Sequence, residues 1–402
     1  MSALSTRHLS DQQLLGATAA APPVLLSSAL APLQLAGAQA LLLTTTALLL
    51  LLLLLLLARS QRRGGARVAS SLAAAVGDTP LLELKSLSAA TGRTILAKCE
   101  FLNPGGSIKD RPVAEMLRDA VQRGVLRPGD LLVEPTGGNT GLSLGAMALP
   151  AGYRLHVTVP AGLSDDKVTL MRRMGATVTE CDAALTIADE GHFVNVAAAI
   201  AARQGGVMLD QFDNLANMRA HEELGEEIWR QTGGSVAAFV AAAGTGGTIA
   251  GVSVALKARN PSVRAYVIDP PGSCVKAFVE QGVWQPPPKG ATKTTIDGVG
   301  ICRPTANLRA ARCDGAFAGC DREATEMAYY LLRNEGVFVG PSAALNVTGA
   351  IKAARLLPPG ATVVTVLCDG GERYRSKTFS DAWLTAHKLT PRATGAGIAF
   401  VS

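Results

Sequence analysis

Residues 102–112 read LNPGGSIKDRP, a lysine set among two glycines, a serine, an acid and an arginine. The segment that follows, PVAEMLRDAVQRG (112–124), places Val113, Met116, Leu117, Ala120 and Val121 on one face, the period of an amphipathic helix. Pro112 has no N–H and suits a first helical turn, so the helix is expected to start near Asp110 or Arg111. Lys109 then lies within a residue or two of the positive end of that helix. That partial charge disfavours an ammonium, and burial disfavours it further. A lysine held partly neutral is a nucleophile for carbonyls, the requirement for a Schiff base. The bland alternative is a solvated lysine at a helix start, with Gly105 and Gly106 merely making a turn.

Outward from this stretch, short apolar runs alternate with helical patterns. Candidate strands are TILAKCEF (94–101), LLVEP (131–135), RLHVTVP (154–160), ATVTEC (176–181), VAAFVAAAG (236–244), RAYVIDP (264–270) and TVVTVLCD (362–369). Strands alternating with helices predict an α/β fold with parallel sheets. In such sheets ligands bind outside the carboxyl ends of the strands. Two further strand ends are rich in glycine and small polar residues. EPTGGNTG (134–141) could bind a carboxylate through its N–H groups and the hydroxyls of Thr136 and Thr140, with Asn139 as an amide donor; its bland reading is a capped turn. AAAGTGGTIAG (241–251) suits a phosphate at the start of the next helix. It is a poor dinucleotide fingerprint, since Ile249 stands where the third glycine belongs. No lysine follows to make a Walker loop. One phosphate loop, one Schiff-base lysine and one asparagine-bearing anion loop together describe a pyridoxal-phosphate site.

Composition narrows the classes. The 402 residues carry a formal net charge of +6, and arginines of the first 67 positions supply much of it, because Asp11 is the only acid before Asp78. No basic stripe is interleaved with aromatics, which argues against nucleic-acid binding. The seven cysteines (Cys99, Cys181, Cys274, Cys302, Cys313, Cys320, Cys368) are odd in number, scattered and without a C-x-x-C pair. Neither a disulfide framework nor a zinc site is expected, and reduced thiols are.

Residues 1–39 form a low-complexity leader. Ala40 to Ala58 reads ALLLTTTALLLLLLLLLLA, uncharged and close to the length that crosses a bilayer. Residues 59–76 form a basic linker, whose arginines place the downstream domain on the cytosolic side of a membrane, an outer mitochondrial or endoplasmic-reticulum membrane being compatible. An organelle transit peptide and a functionless leucine run are the alternatives. The catalytic domain is expected over 77–390, with a tail over 391–402.

From about Gly77 to Thr385 the chain resembles cysteine synthase (O-acetylserine sulfhydrylase) and the catalytic core of cystathionine β-synthase, fold-type-II pyridoxal-phosphate enzymes. The resemblance is carried in order by GDTPLLEL (77–84), LNPGGSIKDRP, EPTGGNTG, VPAGLSDDKVTLMRRMGATV (159–178), DQFDNLANMRAH (210–221), AAGTGGTIAGVS (242–253), EGVFVGPSAA (335–344) and LCDGGERY (367–374). It implies two parallel-sheet lobes, the smaller and mobile one about 110–220, and a homodimer. Lys109 would carry pyridoxal 5'-phosphate as a Schiff base. Asn139 would bond its phenolic oxygen, and Gly244, Thr245, Gly246, Gly247 and Thr248 would cradle its phosphate. Ser342 would sit beside the pyridine nitrogen. Thr136, Gly137, Asn139 and Thr140 would close on the amino-acid carboxylate, with Gln211 lining that pocket. The implied reaction is a β-replacement in which O-acetylserine loses acetate and sulfide adds, Lys109 moving the α-proton.

Three departures stand out. Gly137 replaces the usual serine of T-S-G-N-T, HEELGEEIW (221–229) replaces H-x-x-T-G-P-E-I-W, and GPSAALN (340–346) replaces G-I-S-S-G-A while keeping Ser342. With the leader, these are closest in character to membrane-anchored cysteine-synthase-like proteins of fungi. Condensation of serine with homocysteine uses the same core and is the alternative chemistry. A membrane-tethered, PLP-binding pseudoenzyme is the alternative class, and retention of Lys109 and Asn139 argues against it.

Overall fold

Strands buried on both faces of a parallel sheet read as continuous apolar runs, as LLV does at 131–133, whereas RLHVTVP at 154–160 sets His156 and Thr158 between its apolar residues. In the computed structural model the two stretches form β3 (Leu131–Pro135) and β4 (Arg154–Pro160), with every β3 residue buried. The structure describes residues 68–402 except 163, 164, 186, 289, 394 and 396, together with 45, 46, 48 and 50. Most of the apolar run at 40–58 therefore lies outside the described residues. Among the described residues no helix is long and apolar enough to cross a membrane.

Two sheets organise the body. β3 and β4 join β5 (Thr177–Cys181) in a small parallel sheet of order β3-β4-β5. The larger sheet contains β1 (Leu81–Glu83), β2 (Thr94–Cys99), β6 (Ala238–Ala242), β7 (Arg264–Asp269), β8 (Gly315–Ala318) and β9 (Thr362–Leu367). Its order is β1-β2-β9-β6-β7-β8. All its neighbours are parallel except β1 against β2. All seven expected strands are present, each trimmed by no more than a few residues; β1 and β8 add short edges that the apolar pattern does not mark.

The helix after Lys109 spans Asp110–Gln122 and buries Val113, Met116, Leu117 and Ala120. Val121, expected on the same face, is 47% exposed, because at about 100° per residue it falls at the edge of that face. The buried face belongs to the small-sheet core, which also takes in Leu144, Val157 and Met171. A second core lies between the large sheet and the helix Pro341–Ala354, thirteen of whose fourteen residues are buried. Gly349 permits this contact, since a Cβ there would stand 2.8 Å from Val240 and 2.9 Å from Ile268. A third core covers the opposite face around Phe239, Val252 and Leu256.

Two expectations need correction or extension. Cys99, Cys181, Cys313, Cys320 and Cys368 are free, but Cys274 and Cys302 form a disulfide. The fold brings their Cα atoms to 5.0 Å, within bridging range, across 28 residues that carry no pattern. Residues at the end of the chain are docked: Val401 is buried, and the Ser402 N–H and hydroxyl donate to Glu323 Oε1 at 2.9 and 2.8 Å.

Candidate active site

The carboxyl ends of β2, β6 and β9 point the same way, and the loops after them meet the loop after β3. Between them lies a cavity of about 380 Å³. Every sequence-predicted site residue except Gly247 lines it: Lys109, Thr136, Gly137, Asn139, Thr140, Gln211, Gly244, Thr245, Gly246, Thr248 and Ser342. Gly247 is buried in the same loop as the first residue of the helix Gly247–Arg259.

Lys109 is the N-cap residue of the helix Asp110–Gln122, as its spacing from Pro112 predicts. The residues after it fix the turn. Asp110 accepts the Gly105 N–H at 2.6 Å and the Ser143 hydroxyl at 2.5 Å. Arg111 is buried and clamped, with Nε 2.7 Å from Glu100 Oε2 and Nη1 2.8 Å from Glu227 Oε1. Lys98 completes this network at 2.5 Å from Glu227 Oε2. The acid and the arginine of the opening stretch thus hold the helix start that carries Lys109. Burial pushes the Lys109 ammonium below the usual lysine range, opposed by Cys368 and Asp369.

The loop 243–248 leads from β6 into the helix Gly247–Arg259. Its glycines are required by close approach: a Cβ on Gly244 would lie 2.1 Å from the Gly298 carbonyl, and one on Gly246 (φ +87°) 2.6 Å from Leu308. The first N–H groups of a helix have no intrahelical partner and attract an anion. Burial drives His221 down to about 3, so it is neutral. Its Nδ1 donates to the Asn217 carbonyl at 2.8 Å, which leaves Nε2 to accept the Thr248 hydroxyl at 3.1 Å. The cradle therefore offers an anion backbone donors in a neutral setting. A phosphate fits there.

On the small-lobe side, Thr140 donates to Gln211 Oε1 at 2.7 Å, so Gln211 presents its nitrogen to the cavity. Glu134 seats Gln211, accepting the N–H groups of Asp210 and Gln211, both at 3.2 Å. Burial raises Glu134 to about 7 against those bonds. Asn139 opens the helix Asn139–Ala148, and its Nδ2 donates to Asp369 Oδ2 at 2.7 Å.

Several lining or supporting residues carry no local signal. Cys368 lies beside Ser342 and accepts from Asn346 Nδ2 at 3.2 Å; burial pushes its thiol to about 12. Lys167 reaches from the small lobe to Asp297 Oδ2 at 3.0 Å, and Lys377 Nζ stands 3.1 Å from Asp297 Oδ1. Phe193, Phe212 and Tyr374 supply aromatic walls. Asp369, Arg373 and Tyr374 fall within LCDGGERY, where only the motif as a whole had meaning. Among the described residues there is no group of acids, histidines and cysteines able to hold a metal.

Residues 72–369 match the family model described as pyridoxal-phosphate dependent enzyme. The chain is 42% identical to a cysteine synthase of Dictyostelium discoideum, over 80% of this chain and 87% of that protein. It is 41% identical to cysteine synthase 1 of Emericella nidulans, over 80% and 87% respectively. Among solved structures, O-ureido-L-serine synthase superposes with a TM-score of 0.70 at 31% identity, covering 79% of this chain and all of that one. The chain belongs to the pyridoxal-phosphate dependent enzyme family, with the two-sheet α/β fold of its fold-type-II members.

Proposed function

We propose that the protein makes L-cysteine by β-replacement, with O-acetyl-L-serine as amino-acid substrate and sulfide as nucleophile. One observation carries this reading: a desolvated lysine, a glycine-rich loop at one helix start, Thr136, Asn139 and Thr140 at another, and a serine share one cavity. Relatives named cysteine synthase, at about 40% identity over most of their length, support it.

Pyridoxal phosphate, when bound, supplies the electron sink that lets the bond to the β-leaving group break. Gly244 to Thr248 would hold its phosphate, Asn139 would bond its phenolic oxygen, and Ser342 would stand by its pyridine nitrogen without a charge. Thr136, Thr140, the Gly137 N–H and Gln211 bind the substrate carboxylate at the start of the helix Asn139–Ala148. Lys109 would carry the cofactor, and its burial, which lowers its pKa, would leave it neutral and able to take the proton from Cα and return it after sulfide has added at Cβ. Acetate leaves between these two proton transfers.

The test is a visible absorbance titration of the full chain with pyridoxal phosphate against O-acetylserine. The cofactor band should shift and return on addition of sulfide, and Lys109→Ala should lack both the parent band and this cycle. A band indifferent to O-acetylserine but responsive to serine with homocysteine would move the reading to cystathionine-forming chemistry. Absence of any cofactor band would sink the enzyme reading and leave a tethered scaffold.

The apolar run 40–58 is assigned as a membrane anchor, with the catalytic domain on the cytosolic side. Alkaline extraction of membranes from expressing cells should leave the full chain in the pellet. Release into the supernatant, with a shortened N-terminus, would favour a processed transit peptide. A homodimer is expected, and light scattering of the purified protein checks it.

A further inference from the structure

Asn139 faces the cavity, and both ends of its amide are gripped from the other lobe. Its Nδ2 donates to Asp369 Oδ2 at 2.7 Å, while its Oδ1 accepts from Arg373 Nη1 at 2.6 Å. Arg373 stands on the 3-10 turn Gly371–Tyr374. Its other terminal nitrogen donates to the carbonyl of Gly105, in the turn before Lys109. Room for it exists because residue 106 is glycine; a Cβ there would lie 2.6 Å from Arg373 Nη2. Asp369 is fully buried and is itself held by the Tyr374 hydroxyl at 2.7 Å.

An amide has two ends of nearly equal shape and opposite polarity. Inverting it would turn a donor toward the cavity into an acceptor. A guanidinium only donates and stays charged at every working pH, so it can pair with Oδ1 and never with Nδ2. An inverted Asn139 would meet Arg373 donor to donor. Asp369 fixes the nitrogen end in addition, leaving that nitrogen one hydrogen to offer elsewhere.

We propose that Arg373 is a positioning residue for the reaction: it locks the Asn139 amide with its nitrogen toward the cofactor, and ties that orientation to the turn carrying Lys109. This rests on the reading of Asn139 as the cofactor-facing amide. Without Arg373 only Asp369 opposes inversion, and an inverted amide would turn its oxygen toward the phenolic oxygen of the cofactor. The cation acts through Asn139 and touches neither substrate nor cofactor.

The experiment is a double-variant comparison on the cofactor-loaded protein, read by the visible band and its pH titration. Arg373→Met should retain bound pyridoxal phosphate, since the phosphate cradle is untouched. It should move the band and its titration midpoint in the same direction as Asn139→Ala, with a fall in kcat of about tenfold. Adding Arg373→Met to Asn139→Ala should move neither further. Arg373→Lys keeps a donor but cannot span both carbonyls, and should give an intermediate shift; it also serves if the methionine variant does not fold. An unmoved band in both Arg373 variants, or shifts that simply add to that of Asn139→Ala, overturns the clamp and leaves the role of Asn139 standing. An unmoved band in Asn139→Ala overturns the inference at its base.

Discussion

A lysine at a helix start is ordinarily an exposed cation; Lys109 differs because the same turn walls it in. Glu134 shows a related effect without touching the reaction. Its carboxyl is driven up to about 7 by burial, although the N–H groups of Gln211 and Asp210 pull the other way. With the folded value above the ordinary 4.5 of a glutamate, the folded protein binds the extra proton. The associated stability is fully present below about 4.5 and is lost as pH rises through about 7. Glu134→Gln should therefore flatten the stability profile across this window, measured as the urea midpoint against pH. Equal slopes in variant and parent would show that the carboxyl does not titrate there.

The helix Asp110–Gln122 shows how far the sequence reaches at the scale of an element. Its start was legible, because Pro112 and the period of Val113, Met116 and Leu117 mark it from local chemistry. What holds that start was not legible. Arg111 meets Glu227, 116 positions away, and no periodicity records such a partner. The same limit hid Arg373, whose contact with Asn139 spans 234 positions, and the Cys274–Cys302 pair. β1 and β8 escaped notice for another reason: three or four half-covered residues make no apolar run. The loops 136–140 and 244–248 were legible, since glycines and small polar residues clustered at the carboxyl end of a strand are a local pattern. Arg111→Met should cost about 3–5 kcal/mol, because Glu100 is left buried without its cation and Glu227 keeps only Lys98. The loss should appear both in urea denaturation and in weaker retention of pyridoxal phosphate on dialysis.

At the scale of the molecule, two sheets face one cavity, and charge spans the mouth between them. Lys167 brings the small lobe to Asp297, which Lys377 shares from the far side. Burial pushes Asp297 up, but the two lysines outweigh it and hold the carboxyl below the usual range. Its stabilisation is present above the unfolded pKa and lost as pH falls through the folded one, so acid loosens the mouth. Asp297→Asn leaves the buried Lys167 facing Lys377 and should cost on the order of 2 kcal/mol, less than a fully buried pair because Asp297 is 27% exposed. In steady-state kinetics KM for the amino-acid substrate should rise severalfold while kcat changes little. A selective fall in kcat would assign Asp297 to the chemistry instead.

The helix Pro341–Ala354 has a consequence for the order in which the protein comes apart. Packed on almost every side, its amides from Ala344 to Ala350 are open to solvent only when the large sheet itself gives way. In native-state deuterium exchange they should be among the last to label, well after the amides of β5, which are half covered at the edge of the small sheet. On warming, the edge of the cavity that holds Ser342 should outlast the edge that holds Thr136. A partly melted molecule would then keep one wall of its site standing and grip the cofactor after it has ceased to hold the amino acid.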